Sequence, residues 1–240
     1  MAPSITQPDF RDTRVLLRGE TETIAGWMER WDNRRFATQV MVIVLGAGCY
    51  GAAMGWWRDP QQALYVAIKF PLIILMTMAG NALINGMLAP LLGLNIPFRQ
   101  SFSAILMSSV VAAAILGAFS PLVAFMVWNA PPISLATIHN ATYGFIKLVN
   151  VAVIGFAGFT GNARLFQLLV RLGGSRTTAL RVLLAWLAGN LFLGSQLSWI
   201  LRPFIGLPGL PVQFLRDNAF QGNFYENVFH TVQQLFVDFD

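Results

Sequence analysis

Few side chains in this sequence could carry out catalysis or hold a metal ion. The two histidines, His139 and His230, could bind a metal only if the fold brings carboxylates such as Asp217 or Glu226 beside them, because metal ions need several ligands. The sequence contains no HExxH motif, no phosphate-binding glycine loop and no GxSxG motif. We therefore expect a protein that is not an enzyme and that uses no cofactor or metal.

Amide side chains lie within long hydrophobic segments, where they could join helices or line a cavity. Asn81 and Asn85 are four residues apart and would lie on one face of a helix. The other such residues are Asn150, Asn190 and Gln196. Amides donate and accept hydrogen bonds, and in lipid such bonds connect neighbouring helices. The alternative is that the four asparagines line one polar cavity of a small transporter or lipid-handling protein.

Charged residues near the ends of the hydrophobic segments allow two arrangements. One is an interfacial ion-pair network formed by Arg202, Arg216, Asp217 and Glu226. The other is an anion or lipid-headgroup site formed by Arg58, Lys69, Lys147 and Arg202. The long stems of the two lysines would let their ammonium groups reach the headgroup layer, so we expect both to be accessible.

Five hydrophobic segments must position these residues, at 36–57, 70–93, 104–128, 143–161 and 179–201. About 20 apolar residues suffice for a helix to cross a hydrocarbon core about 30 Å thick. Only 11% of the residues are charged and 55% are hydrophobic. The sequence predicts an all-α, polytopic membrane protein with three parts. They are a cytoplasmic N-terminal segment with an interfacial helix (1–35), a five-helix transmembrane bundle (36–201) and an outer-side tail that ends in an amphipathic helix (202–240).

The distribution of basic residues predicts the orientation, because cytoplasmic loops are enriched in lysine and arginine. With the N-terminus inside, the cytoplasmic side holds eleven of the sixteen basic residues: Arg11, Arg14, Arg18, Arg30, Arg34, Arg35, Arg99, Arg164, Arg171, Arg176 and Arg181. The outer ends of three segments carry an aromatic belt of Trp56, Trp57, Trp128 and Trp199. We expect a bacterial cytoplasmic-membrane protein with its N-terminus inside and its C-terminus outside. This topology explains the net charge of +5 better than nucleic-acid binding does.

The N-terminal segment contains an amphipathic pattern before the first hydrophobic segment. Ile24, Trp27, Met28 and Trp31 recur at the spacing of one helical face. Such a helix could lie along the inner leaflet with its tryptophans among the headgroups, or it could dock a cytoplasmic partner. The residues of this face do not distinguish between the two interpretations.

The tail after the fifth segment is apolar but rich in proline and glycine. Pro203, Pro208 and Pro211 preclude a regular helix, and Asn223 with Glu226 has the spacing of a capping box for a final helix. We expect the tail to lie against the outer membrane face or against partner subunits. The predicted partner or lipid interface comprises Trp199, Arg202, Phe204, Phe214, Arg216, Phe224, Tyr225, Glu226 and Phe229, together with Trp27 and Trp31.

Small residues predict where the helices approach most closely. Gly51 and Gly55 have a small-xxx-small spacing in the first segment, and Gly155, Gly158 and Gly161 follow one another in the fourth. In lipid, small residues let helix backbones come into contact. We expect the tightest contacts at the first and fourth segments.

The layout resembles the Yip-domain family of five-span membrane proteins, the Ypt/Rab-interacting type and its bacterial relatives. The similar part runs from Ile68-Lys-Phe-Pro-Leu to Asn190-Leu-Phe-Leu-Gly, whereas the long tail from Arg202 departs from the family's pattern. The resemblance implies membrane organisation through partner binding rather than catalysis. We therefore expect a non-enzymatic subunit or scaffold that binds lipids and other membrane subunits or its own copies, with a transporter as the alternative.

Overall fold

The chain folds into α-helices that run back and forth through one bundle. The computed structural model describes residues 11–134, 141–206 and 208–237, with the backbone alone at 230–232 and 234–237. No β-strand occurs among these residues. The helices are α1 (Arg11–Arg18), α2 (Thr21–Glu29), α3 (Asn33–Trp56), α4 (Pro60–Leu91), α5 (Phe98–Asn129), α6 (Ala141–Gly173), α7 (Arg176–Leu201) and α8 (Phe224–Val237).

Helices α3 to α7 are each long and apolar enough to cross a membrane, which confirms the all-α, five-span fold class. Two of them extend well beyond the hydrophobic segments that predicted them. Helix α4 begins at Pro60, where the Asp59 side chain accepts a hydrogen bond of 2.7 Å from the Gln61 backbone N–H. Helix α6 continues to Gly173. Hydropathy marks where apolar residues stop, whereas a helix ends only where its backbone is capped or turned.

Helix α3 packs against both α4 and α5, and glycines make these contacts close. A Cβ atom at Gly51 would lie 2.5 Å from the Val66 backbone oxygen, and one at Gly55 would lie 2.7 Å from the Gln62 backbone oxygen. Only glycine therefore fits these positions, which confirms the predicted contact in the first segment. Helices α6 and α7 complete the bundle against α5 and α4 and against each other.

The bundle has two ends, which we name by the segments that cover them. The N-terminal end, where α3 begins, is covered by residues 11–32. The tail end, where α3 ends and α4 begins, is covered by residues 202–206 and 208–223, hereafter the tail. Residues 1–10 and 238–240 of the predicted terminal segments lie outside the described residues.

The N-terminal segment packs against the bundle of its own chain. Leu16, Ile24 and Met28 are buried in the core, and α2 contacts α5 and α6. The amphipathic face thus covers helices of the same chain, an arrangement that neither sequence interpretation included. Trp27 is half-buried beneath the Arg35 guanidinium, whereas Trp31 follows the end of α2 and remains 42% exposed.

The tail has no helix among its described residues, and α8 follows it, as predicted. The Asn223 side-chain oxygen accepts a hydrogen bond of 2.8 Å from the Glu226 backbone N–H, which caps the first turn of α8. The Glu226 carboxylate in turn accepts a bond from the Asn223 side-chain amide. The capping prediction is therefore confirmed.

Candidate functional site

The tail is fastened to α4 by hydrogen bonds from Gln62, in the first turn of that helix, and from Lys69 further along it. The Gln62 side-chain amide donates to the backbone oxygens of Pro203 and Phe204 at 2.9 and 3.0 Å. The Lys69 Nζ donates to the same Pro203 oxygen at 3.1 Å. Pro203 has no backbone N–H to donate, and the backbone oxygens of Pro203 and Phe204 accept their hydrogen bonds from side chains of α4. The tail is thus part of the fold of this chain.

Lys69 itself is not where the sequence predicted it. Its side chain is 0% exposed and lies under the tail, with the ammonium group 5.3 Å from the centre of the Phe214 ring. The prediction that Lys69 reaches the headgroup layer is wrong, because a backbone oxygen and an aromatic face take the place of headgroups. Lys147 is exposed, with its ammonium group over the Tyr143 ring.

Two aromatic residues of the predicted partner interface pack within the chain. Phe204 meets Phe70 edge-on with ring centres 5.6 Å apart, and Phe214 meets Tyr65 in the same way at 5.5 Å. Such edge-to-face pairs are a preferred aromatic geometry. They hold the tail against α4, so these two phenylalanines contribute to the fold before any partner binds.

An apolar groove of about 540 Å³ lies below the tail, on the side of the bundle. Its walls come from α3 to α7 and from the tail residues Pro203 to Gly206. The polar groups at its edge are Lys147, Asn150 and Ser198. A groove of this size and composition can hold part of a lipid acyl chain, because it offers apolar contact with few polar groups.

A second cavity, of about 460 Å³, lies on the other side of the same tail turn, and we name it the arginine pocket. Arg58, Arg202 and Arg216 line it, and Asp217 supplies the one carboxylate among its lining residues. Pro203 and Gly206 line both cavities, so the two are neighbours. The positive φ of Gly206, +85°, forms the turn at this position, where side chains are disfavoured.

Trp199 positions two of the three arginines. The Arg202 guanidinium stacks on its ring, and the Arg216 guanidinium lies 5.5 Å from the ring centre. The indole N–H donates to the Gln221 backbone oxygen at 3.3 Å, which ties the ring to the tail. Trp199 therefore serves as a platform for guanidinium groups.

The predicted ion-pair network is not formed. Among the described residues, the ion pairs are Arg18–Glu20, Arg35–Asp12 and Arg171–Glu22, all in the N-terminal part or at the N-terminal end. Of the four residues of the alternative anion site, Arg58 and Arg202 line one cavity, whereas Lys69 is buried beneath the tail and Lys147 lines the apolar groove; the site itself stays a prediction. Arg216 completes the pocket, although the sequence assigned it to the other arrangement.

Helix α8 is docked to α7 through its first turn. Tyr225 stacks on Phe192 with ring centres 5.6 Å apart, and its hydroxyl bonds to Ser195 at 2.9 Å. The Gln196 side-chain oxygen accepts from the Phe224 backbone N–H at 3.5 Å. Phe224 and Phe229 are exposed beyond this contact. The aromatic face of α8 is thus only partly covered by its own chain.

Three of the four intramembrane asparagines, Asn81, Asn150 and Asn190, form hydrogen bonds between helices, at two places in the bundle. Asn81 donates to the Asn190 side-chain oxygen at 2.7 Å and to the Trp186 backbone oxygen at 3.1 Å, which joins α4 to α7. Asn150 accepts from the Tyr50 hydroxyl at 2.8 Å, which joins α6 to α3.

Only Asn150 among the four asparagines lines the apolar groove. Asn85 is fully buried, and neither of its side-chain polar atoms has a hydrogen-bond partner among the described residues. Most of these amides therefore act as links between helices, which is the first of the two sequence interpretations.

Two residues of the site were missed by the sequence analysis. Gln62 lies seven residues before Lys69, and this helical spacing places both on one face of α4, which was a usable signal. Tyr50 could not be singled out from the sequence, because one tyrosine in an apolar segment does not by itself indicate a hydrogen-bond partner. The metal prediction stays untested at His139, which lies outside the described residues, and the side chain of His230 is not described.

The chain matches no protein-family model, no curated protein and no solved structure. The resemblance to the Yip-domain family therefore stays a prediction.

Proposed function

We propose that the protein is a non-enzymatic integral membrane subunit or scaffold, which packs against another membrane helix and binds lipid. The observation that carries this proposal is an uncovered seam along α6. The seam residues follow one another at intervals of four, three, four and three positions: Gly144, Leu148, Val151, Gly155 and Gly158. This spacing puts them on one face and is the spacing at which two helices pack side by side.

The seam is uncovered by the described residues. Apart from the adjacent backbone of α6 itself, none of their atoms lies within 4 Å of where a Cβ would stand at Gly144, Gly155 or Gly158. Leu148 and Val151 are each 66% exposed. By contrast, a Cβ at Gly161, one turn further along, would lie 2.8 Å from the Ser108 backbone oxygen of α5. Small residues on a helix face that no other described element covers leave room for the backbone of a neighbouring helix.

Replacing Gly155 and Gly158 together by leucine tests this proposal. Two leucines would fill the space that a partner helix needs, so we expect the variant to lose its partner, whether another subunit or a second copy. Native mass spectrometry of the protein extracted from membranes in a mild detergent measures this. Gly26→Leu, on the exposed face of α2, is the matched control. A wild-type chain that runs as a lone monomer, or a double variant that keeps its partner, would contradict the proposal.

A second candidate function, lipid handling, is favoured by the apolar groove. Its walls are almost entirely apolar, and Lys147 at its edge could contact a headgroup phosphate while an acyl chain fills the groove. Ile154→Trp would fill the groove from α6 and should reduce the phospholipid that co-purifies. Unchanged lipid content, and unchanged lipid transfer between vesicles, would argue against this candidate.

We also propose that the N-terminal end faces the cytoplasm of a bacterium and the tail end faces outward. The support is the excess of arginine at the N-terminal end. The test uses a Cys49→Ser background with one new cysteine at Thr177 or at Gln221, which are exposed at opposite ends. An impermeant maleimide should label the cysteine at 221 in intact cells and the one at 177 only after permeabilisation. The reverse pattern would invert the orientation.

A further inference from the structure

We propose that Arg58, Arg202 and Arg216 form a binding site for a phosphate-bearing anion at the tail end of the bundle. The three residues are far apart in the sequence, at the end of α3 and in two parts of the tail. The fold brings all three to the walls of one cavity of about 460 Å³.

The charge of the pocket is the first argument. Three guanidinium groups line it, and Asp217 is the one carboxylate beside them. None of the three arginines has a carboxylate oxygen within 4.0 Å among the described residues, although other arginines of the chain do. Like charges held together in a partly enclosed, low-dielectric cavity repel one another, and a bound anion removes that repulsion. The pocket thus carries uncompensated positive charge.

The hydrogen-bond donors are the second argument. Arg202 Nη1 and Arg216 Nε are shielded from solvent and have no hydrogen-bond partner in the described part of the chain. A buried donor without a partner costs free energy, so such atoms call for a ligand or an ordered water. Other donors are in use: Arg58 Nη2 donates to the Leu210 backbone oxygen at 3.3 Å, and Arg216 Nη2 donates to the Asn218 backbone oxygen at 3.4 Å. These bonds fix the arginines while leaving donors for a ligand.

The geometry of the groups indicates the class of ligand. A guanidinium is planar and presents parallel N–H donors, which match the oxygens of phosphate in a two-point contact. Stacking on Trp199 restricts how the guanidinium of Arg202 can turn, so little side-chain freedom remains to be lost on binding. A phosphate group accepts hydrogen bonds from several donors at once, and its negative charge would balance the excess of positive charge in the pocket.

Two sources could supply this phosphate. Pro203 and Gly206 separate the arginine pocket from the apolar groove, so a phospholipid could place its phosphate in the pocket and an acyl chain in the groove. Inorganic phosphate or a soluble phosphate ester would use the same donors without the groove. The chemistry at the pocket is identical in both cases, and the experiment distinguishes them.

The test measures binding in two arms with the full-length protein. In the first, inorganic phosphate is titrated calorimetrically into protein in dodecyl maltoside, with chloride at matched ionic strength as the reference. In the second, thermal stability is compared in nanodiscs of phosphatidylcholine with and without phosphatidylglycerol. We expect a response in at least one arm. Phosphate titration identifies a soluble ligand, and a response only to phosphatidylglycerol identifies a lipid headgroup.

Variants at the pocket connect that response to the arginines. Arg202→Gln and Arg216→Gln should each weaken binding about tenfold or more, because each removes charge-assisted hydrogen bonds. Arg202→Lys keeps the charge and loses the two-point contact, so it should fall between wild type and Arg202→Gln. Arg176→Gln, at the opposite end of α7, is the matched control and should bind as wild type does.

Asp217→Asn keeps the proposal testable even if an arginine variant does not fold. It removes the one carboxylate of the pocket and should therefore tighten binding, a gain that a damaged fold would not produce. Absence of a response in both arms for the wild-type protein would overturn the proposal. So would arginine-to-glutamine variants that fold and bind as tightly as wild type.

Discussion

The two ends of the bundle use arginine in different ways. At the N-terminal end, Arg35 pairs with Asp12 at 3.0 Å and Arg171 pairs with Glu22 at 2.8 Å. There Arg164 also donates to the Leu17 backbone oxygen at 2.9 Å. At the tail end, Arg58 and Arg202 have no carboxylate partner among the described residues.

This difference separates arginines that pair with carboxylates, Arg35 and Arg171, from tail-end arginines that have no such pair among the described residues. The N-terminal arginines reach across to α1 and α2 and fasten that segment to the bundle. The tail is fastened by other residues, chiefly Gln62, Lys69 and aromatic pairs. Among the tail-end arginines, Arg58 adds one exposed hydrogen bond to the Leu210 backbone oxygen of the tail, but no carboxylate of the described residues lies within 4.0 Å of it.

The largest expected effect belongs to the residue that fastens the tail. Gln62→Leu removes two hydrogen bonds and leaves the Pro203 and Phe204 oxygens without their amide donor, which should lower the free energy of unfolding by about 1–3 kcal/mol. Thermal unfolding in detergent measures this loss, and faster proteolysis of the tail should accompany it. Gln61→Leu, at the exposed neighbouring position, is the control. If both variants were equally stable, side-chain bonds to the tail would not be what holds it.

Replacing two asparagines one helical turn apart should change stability by different amounts, because Asn81 has a hydrogen-bond partner and Asn85 has none among the described residues. Asn81→Leu breaks the bond to Asn190 and should destabilise the protein by about 1 kcal/mol, in the range found for hydrogen bonds between membrane helices. Asn85→Leu removes an amide with no partner among the described residues, so stability should be unchanged or higher. Steric-trap or thermal unfolding compares the pair. A larger loss at Asn85 than at Asn81 would mean that Asn85 has a partner, such as a buried water.

Arginine-to-glutamine changes at the two ends provide the smallest but most specific contrast. Arg35→Gln should cost about 0.5–1 kcal/mol, because it breaks a half-buried ion pair. Arg58→Gln should cost less than Arg35→Gln in phosphate-free detergent, because losing one of three like charges offsets the loss of its exposed hydrogen bond to the Leu210 oxygen. Unfolding temperatures at low salt compare the two variants. Equal losses at both ends would show that the tail-end arginines are structural as well.

The sequence predicted the helices well, because hydropathy and capping are local signals. The five spans, the close contact at Gly51 and Gly55 and the Asn223 cap were all accessible in this way. The position of Lys69 was not, since its partner is a backbone oxygen of Pro203 that only the folded tail brings near.

The arginine pocket could not be predicted from local sequence signals either. Arg58 and Arg216 come together through the path of an irregular segment, and no periodicity in the sequence encodes that path. The sequence could identify the basic residues near this end of the bundle and leave two groupings open. The observed pocket combines residues of both groupings, and the turn at Gly206 and the platform at Trp199 that shape it are visible only in the folded chain.

Three arginines and one carboxylate leave the arginine pocket with an excess of positive charge, and adding a second carboxylate tests this most directly. Gln213 lines the pocket, so Gln213→Glu places a carboxylate there, while Gln221→Glu adds the same charge outside it. Unfolding temperatures are measured with and without inorganic phosphate in phosphate-free detergent. We predict that Gln213→Glu raises the unfolding temperature by about 1–3 °C without phosphate, that it abolishes any rise on adding phosphate, and that the control does neither. A lower unfolding temperature for Gln213→Glu, with a phosphate response like that of wild type, would contradict the claim.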